Sequence, residues 1–332
     1  MINFETLLLS RQDIVSLMTF DDYFKAAEDA FRLHAEGKTI ATGLLHADSQ
    51  EGEYHIKTGG LYLDRAFFGL KANGGFFRNP ERNGLPAIQG IIYLSDAATG
   101  YPLAILDSVE ITRQRTAATT ALAAKHLAQP ESAVITICGT GAQARSHLRA
   151  FAKTFPLQQG FVFSRNAEKG RDFAATMSAE LELPVALVSD LRGATESDII
   201  LTCTTAREAF LLPSMVSPGT FVGAIGADSP QKHEIAPELL ARSRVVPDLV
   251  QQCAEVGELH HAIAAGAMTS DQIHGELGEI ILKKKPGRTD VNETFVFDST
   301  GTALQDVAAA ACVYEKAASA GRGTMFDFSG DR

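Results

Sequence analysis

Val134-Ile-Thr-Ile-Cys138-Gly139-Thr140-Gly141-Ala142-Gln143-Ala144 is the stretch on which the fold turns. The apolar and β-branched run to Cys138 reads as a buried strand, and the GxGxxA loop after it leads into a helix expected to reach about Phe155. Gly139 suits the tight turn, Gly141 lets the backbone approach a pyrophosphate, and Ala144 allows close packing of helix on strand. The helix start would offer free N–H groups and a positive dipole end to the phosphates. Strand, glycine loop and helix in this order predict a dinucleotide site.

The next strand ends Phe163-Ser164-Arg165-Asn166 and carries no acid at its tip. An NAD site usually places Asp or Glu there to accept from the ribose hydroxyls. Arg165 can pair with a 2′-phosphate while Ser164 and Asn166 donate to it, so NADP(H) is expected in preference, with NAD(H) possible. Read more plainly, Arg165 is a solvated loop arginine.

Outward from this loop, the short apolar runs AVITIC, GFVFS, PVALV, DIILTC, TFVGAIG, RVVP and FVFD alternate with helical segments. That alternation predicts an α/β fold with a Rossmann-type, doubly wound parallel sheet over 119–299. Before it, Ser10 and Thr19 read as N-caps of two helices, each with Asp three residues on. From about Tyr54 to Leu106 the signals are short and strand-like, which reads as a mixed, largely antiparallel sheet. After Phe297 the chain is helical again. The Rossmann domain is therefore expected to be inserted in a discontinuous α+β domain made of 1–118 plus 300–332.

The 332 residues, 45% hydrophobic and 21% charged, are enough for two globular domains of ~150 residues. A formal charge of −10 without a basic block argues against nucleic acid as partner. The longest apolar run, Val307 to Tyr314, is far short of the ~18 residues that cross a bilayer, and the N-terminus lacks a signal-peptide pattern. No membrane association and a cytoplasmic location are expected. Cys138, Cys203, Cys253 and Cys312 form no CxxC pair and read as free thiols. The nine histidines, His260-His261 among them, show no ligand spacing, so no metal is expected.

Three residues are candidates for chemistry. Asp228 follows the strand TFVGAIG, and ligands of open α/β sheets bind beyond the carboxyl ends of strands; a turn or N-cap Asp is the plainer reading. Arg115 lies in Thr112-Arg-Gln-Arg115-Thr116, read as the start of an alanine-rich helix, where an anion would offset cations at a positive dipole end. Lys71 sits in a short strand before a glycine turn, and a strand lysine by itself belongs on a solvated face. Glu255 and Glu258 would share one helix face, for packing or capping.

These pieces together resemble the ornithine cyclodeaminase/mu-crystallin family across nearly the whole chain. The matching stretches are Gly69-Leu-Lys71-Ala-Asn-Gly, Leu94-Ser-Asp-Ala-Ala-Thr-Gly-Tyr-Pro102-Leu, Arg115 to Leu127, Gly139-Thr-Gly-Ala-Gln143, Ile225-Gly-Ala-Asp228-Ser-Pro and Phe297-Asp-Ser-Thr-Gly301. The resemblance implies a homodimer and chemistry at the Cα–N bond of small α-amino or α-imino acids. It implies Asp228 as acid/base at the substrate nitrogen, and Lys71 with Arg115 as holders of the carboxylate. Thr116, Gly139, Thr140, Gly141, Ala142, Gln143, Thr204 and Ser299 are the implied cofactor contacts, beside Ser164, Arg165 and Asn166.

Two departures bear on the reaction. Family cyclodeaminases carry an arginine in the early strand, but Leu44-Leu-His46-Ala-Asp48 has none, and His55 stands at the position of a glutamate. Lys57 or His55 is a candidate for the missing carboxylate ligand, or His55 for a second proton-transfer group; both also read as strand residues on a wet face. The expected activity is NAD(P)-dependent reduction of an α-imino acid such as 1-pyrroline-2-carboxylate, or the reverse amino-acid dehydrogenation. The alternatives are ornithine cyclodeaminase and a non-catalytic, mu-crystallin-like ligand-binding protein.

Overall fold

A computed structural model of the chain describes residues 5–328. It divides into two compact units: an outer one, from the N-terminus to Arg115 together with the chain from Thr302 onward, and an inserted one, Thr116–Gly301. The outer unit opens with β1 (Thr6–Leu9), α1 (Arg11–Leu17) and α2 (Phe20–Ala35). Both helices start in capping boxes: Asp13 and Asp22 accept from the backbone N–H of Ser10 and Thr19 at 2.9 and 2.8 Å. Then follow β2 (Thr39–Asp48), β3 (Glu53–Tyr62), β4 (Ala66–Gly75), the short α3 (Asn79–Arg82), β5 (Ile88–Asp96) and β6 (Pro102–Asp107). Hydrophobic period did not show β2, and only the family resemblance placed an early strand at Leu44–Asp48, because all of its residues are exposed or half-buried and it lacks a clean apolar alternation.

The helix α4 (Ser108–Leu127) starts four residues before the expected Thr112. Asp107 Oδ1 accepts from the N–H of Val109 and Glu110 at 3.1 and 3.2 Å, which sets the start there. Arg113 and Arg115 consequently sit in the second turn, away from the positive dipole end, and the dipole argument for an anion at Arg115 falls away.

The inserted unit holds β7 (Val134–Cys138), α5 (Ala142–Thr154), β8 (Gln159–Phe163), α6 (Ala167–Leu181), β9 (Val185–Val188), β10 (Ile199–Thr202), β11 (Phe221–Ala224) and α7 (Pro237–Ala241). It continues with β12 (Arg244–Pro247), α8 (Val250–Val256), α9 (Glu258–Ala264), α10 (Leu277–Ile281) and β13 (Phe295–Asp298). All seven runs read as strands are strands. They form one wholly parallel sheet in the order β12-β13-β11-β10-β7-β8-β9. The strand order reverses between β7 and β10, the switch point where a doubly wound sheet leaves a crevice at its carboxyl ends. Gly257, extended and close to Asp298, breaks α8 from α9, so Glu255 and Glu258 lie on separate helices instead of one face.

The chain returns to the outer unit with α11 (Ala303–Ala320) and β14 (Thr324–Phe326). Its sheet runs β14-β1-β6-β5-β4-β3-β2, antiparallel except for the β1–β6 pair. α11 packs on β3, β4 and β5. It comes close because Gly59 and Gly69, paired across β3 and β4, present no side chain: a Cβ on Gly69 would lie 2.7 Å from Val307 Cγ2, and one on Gly59 3.3 Å from Ala303 Cβ. Among the described residues no helix is long and apolar enough to cross a membrane. The four cysteines are free; Cys138 and Cys253 are buried.

Gly69→Val should force α11 off the sheet and cost about 1–3 kcal/mol of stability, read by denaturant unfolding; an unchanged midpoint would refute this seating of the helix.

Candidate active site

The residues expected in the site fall into two groups, one in each unit. In the inserted unit the loop after β7 needs its first glycine. Gly139 has φ +111°, and a Cβ there would lie 2.7 Å from the carbonyl oxygen of Cys203. Gly141 is the N-cap of α5 without a side-chain hydrogen bond, and a Cβ on it would meet nothing within 4 Å. The leading N–H groups of α5 thus open onto free space, a cradle of the shape and polarity that suit a pyrophosphate. A cleft of about 950 Å³ follows the switch point, lined by Gly139–Gly141, Phe163–Asn166, Lys169 and Cys203–Phe210.

At the β8 tip Arg165 is exposed and lines this cleft. Asn166 caps α6 by accepting from the Lys169 N–H at 3.0 Å, and Ser164 Oγ accepts from the Asn166 N–H at 3.3 Å. Lys169 and Arg207, which the sequence reading passed over, add two further cations to the cleft, beside one acid, Glu208. Gln143 gives its carbonyl to His147, whose burial pushes the imidazole down to about 4 and keeps it neutral. Thr140 and Ala142 flank the Gly141 cap, Thr116 is buried, and Ser299 Oγ is buried without a partner among the described residues.

Thr204, just past β10, donates from its N–H and Oγ1 to Glu234 Oε1 at 2.7 and 2.6 Å, and Glu234 Oε2 accepts from the Gly226 N–H at 2.8 Å. One buried carboxylate therefore ties the Thr204 loop to the loop that carries Asp228. Burial raises Glu234 above its ordinary range, against the hydrogen bonds that hold it ionised. Glu258 in turn accepts from the N–H of Glu234 and Ile235, and Asp298 from those of Glu258 and Leu259. Asp228 is partly exposed and ion-paired with Lys232. The sequence signal for Glu234 was its place six residues past Asp228. Without a partner in view it offered no role.

In the outer unit Lys71 is only 3% exposed, contrary to the solvated face expected of a strand lysine, and Arg115 is 4% exposed. Both meet Asp306 on α11: Lys71 Nζ lies 2.8 Å from Oδ2, and Arg115 Nε 2.9 Å from Oδ1. Arg115 also donates to Gln305 Oε1. Burial, and then the charge of Arg115, push the Lys71 amine down to about 7 against the pull of Asp306. Burial alone would raise Asp306, but Arg115 and Lys71 hold it below the ordinary carboxylate range. Lys57, paired in register with Lys71 and buried, faces the same way and acts on both groups. His55 stands one pair further along, opposite Asn73. The wet-face reading of Lys57 is thereby corrected.

One carboxylate thus serves two buried cations, and Gln305 Nε2 is a buried donor without a partner among the described residues. A second anion is electrostatically welcome here. Asp306 escaped the sequence reading, since nothing in STGTALQDVAAA marks one aspartate as the partner of residues 191 and 235 positions upstream.

The profile of the ornithine cyclodeaminase/mu-crystallin family matches residues 4–321. The chain belongs to the ornithine cyclodeaminase/mu-crystallin family. Solved structures of this family superpose along almost the whole chain. An archaeal alanine dehydrogenase dimer with bound NAD is 32% identical, with a TM-score of 0.92 and coverage of 98% of this chain and 99% of that one. The Thermococcus litoralis Δ1-pyrroline-2-carboxylate reductase, in complex with NADH and L-proline, is 29% identical, with a TM-score of 0.90 and coverage of 96% and 99%. The iminosuccinate reductase of Paracoccus denitrificans with NAD+ is 32% identical, with a TM-score of 0.88 and coverage of 97% and 99%.

For this family member the lowered Lys71 has a measurable consequence. Between about pH 7 and the unfolded lysine value of 10.5, the folded chain binds fewer protons at Lys71 than the unfolded chain, so stability rises with pH in that window. The stability difference between the native chain and Lys71→Met should grow toward alkaline pH by at most about 1.4 kcal/mol per unit; a difference flat from pH 7 to pH 10 would contradict it.

Proposed function

We propose that the chain is a nicotinamide-dependent oxidoreductase of small α-imino or α-amino acids. It reduces a ketimine such as 1-pyrroline-2-carboxylate, or runs in reverse as an amino-acid dehydrogenase. The observation that carries the reading is the buried Lys71 and Arg115 pair sharing the single carboxylate of Asp306. Two desolvated cations with a spare buried amide donor beside them suit the carboxylate common to such substrates. The activities of the related dehydrogenase and reductases agree with it.

When bound, the nicotinamide supplies or accepts the hydride at Cα. Lys71 and Arg115 hold the carboxylate and fix which face of Cα is presented. Asp228 exchanges the proton at the substrate nitrogen, and Lys232 is its ion-pair partner. Glu234 positions the Asp228 loop through Gly226 and the Thr204 loop through its N–H and hydroxyl. Gly139 to Gln143 would take the pyrophosphate, and Thr116, Thr204 and Ser299 the remainder of the cofactor.

We further propose NADP(H) as the preferred cofactor, although the three related structures are described with NAD+ or NADH. Arg165 and Lys169 line the cleft where no acid ends β8, which supports recognition of a 2′-phosphate. A homodimer is the proposed assembly. Of the exposed large apolar residues, Val15, Leu45, Tyr54, Tyr62, Phe77, Leu85, Ile91, Met325, Phe326 and Phe328 all belong to the outer unit, which supports self-association there.

The deciding assay follows nicotinamide absorbance with 1-pyrroline-2-carboxylate, pyruvate plus ammonia, and ornithine. Net oxidation of NADPH with an imino acid is the expected result, whereas ornithine converted to proline and ammonia with catalytic cofactor would replace the reading by cyclodeamination. Asp228→Asn should lower kcat by about 10²- to 10⁴-fold with cofactor affinity intact. Arg165→Ala should weaken NADPH by at least tenfold more than NADH, and equal losses would overturn the phosphate role.

A further inference from the structure

On the same face of the outer sheet as Lys57 and Lys71, but further toward the hairpin between β2 and β3, four metal-ligating side chains come together. His46 is directly opposite His55, and Asp48 is directly opposite Glu53. Residues paired across an antiparallel ladder point to one face, as do those two apart along a strand. A ring nitrogen of each histidine and an oxygen of Glu53 lie within 4.8 Å of one another. The rings meet edge to face at 4.6 Å between centroids. His55 Nε2 is 3.3 Å from Glu53 Oε1, and His46 Nε2 is 3.0 Å from Asp48 Oδ1.

The second contact sets the chemistry of His46. A proton on Nε2 shared with Asp48 leaves Nδ1 as a bare lone pair, and Nδ1 is buried with no hydrogen-bond partner among the described residues. A carboxylate that fixes the tautomer of a histidine whose other nitrogen is open is the arrangement that orients imidazole ligands toward metal ions. Side-chain exposure grades outward, from Lys57 and Lys71 through His55 at 12%, Glu53 at 20% and His46 at 28% to Asp48 at 82%. The cluster is thus shielded on the sheet side and opens toward the hairpin side, with His46 Nδ1 and His55 Nε2 themselves buried within it.

We propose that His46, Glu53 and His55 form a binding site for a divalent first-row transition ion, Zn(II) in kind, with Asp48 as the group that orients His46. Two imidazoles and one carboxylate are the donor set such ions favour, and imidazole selects against Mg(II) and Ca(II). Bonds of ~2.0–2.2 Å put tetrahedral ligand atoms about 3.4 Å apart, so small side-chain rotations on a rigid hairpin close the site. Solvent completes the coordination. The sequence expectation of no metal rested on ligand spacing within single segments, and it does not reach donors brought together by cross-strand register.

The test uses the full chain, stripped with a chelator and titrated with Zn(II) by calorimetry and with Co(II) by visible absorption. One ion per chain is expected, with an imidazole-containing Co(II) spectrum. His46→Ala and His55→Ala should each weaken binding at least tenfold, and Asp48→Asn should weaken it while keeping the spectrum. Melting in chelator controls for folding: Zn(II) should raise the Tm of the native chain and leave that of the His46→Ala/His55→Ala double variant unmoved. The proposal fails if the native chain binds no ion, if the double variant binds as the native does, or if His261→Ala, in the stacked His233–His261 pair, removes the ion instead.

Discussion

A parallel sheet leaves the N–H groups of the loops at its carboxyl ends without ladder partners, and a buried N–H left unpaired is costly. The inserted unit meets this constraint with side-chain carboxylates. Glu234, Glu258, Asp298 and Asp248 are all buried, and each accepts from backbone N–H groups of a neighbouring loop. Their burial raises all four, with Asp298 pushed up to about 7. The loops that carry Thr204 and Asp228 are thereby held at the crevice by hydrogen bonds as well as by packing. A functional loop can stay at the crevice and still be rigid.

The outer unit solves a different problem by a related device. Lys71 and Arg115 come from a strand and a helix, and each would be expensive to bury alone. The near approach of α11, allowed by Gly59 and Gly69, brings one aspartate to both. Asp306 is one carboxylate for both, and with the Lys71 amine pushed down to about 7 an incoming anion would draw a proton onto it, so the arrangement is stable enough to fold and still receptive to an anion. The packing of a helix on a sheet and the charge state of a prospective substrate site are here a single fact.

Much of this was legible from local pattern. The seven parallel strands, the glycine loop and the capping boxes at Ser10 and Thr19 need only neighbours within a few residues, and short-range sterics and hydrophobic period encode them; the departure at His55 was visible only against the family pattern. The start of α4 was misplaced because Asp107 caps it from a strand end, where the apolar period is silent. Periodicity did not show β2, because an exposed strand has little amphipathic contrast, and only the family resemblance placed a strand there.

The chemistry that depends on distant partners was not legible in that way. Charge in a sequence has no burial, so by its own segment Lys71 read as a wet strand lysine, and only the family resemblance gave it a carboxylate to hold. Glu234 and Asp306 became meaningful only when the fold supplied the N–H groups and cations they accept from. His46 and His55 met only through the register of a hairpin. Local order is written in adjacent residues because backbone sterics and period act over a few positions. Proton affinity, ion pairing and ligand convergence were left to the assembled fold, because they depend on dielectric and distance, which no single segment possesses.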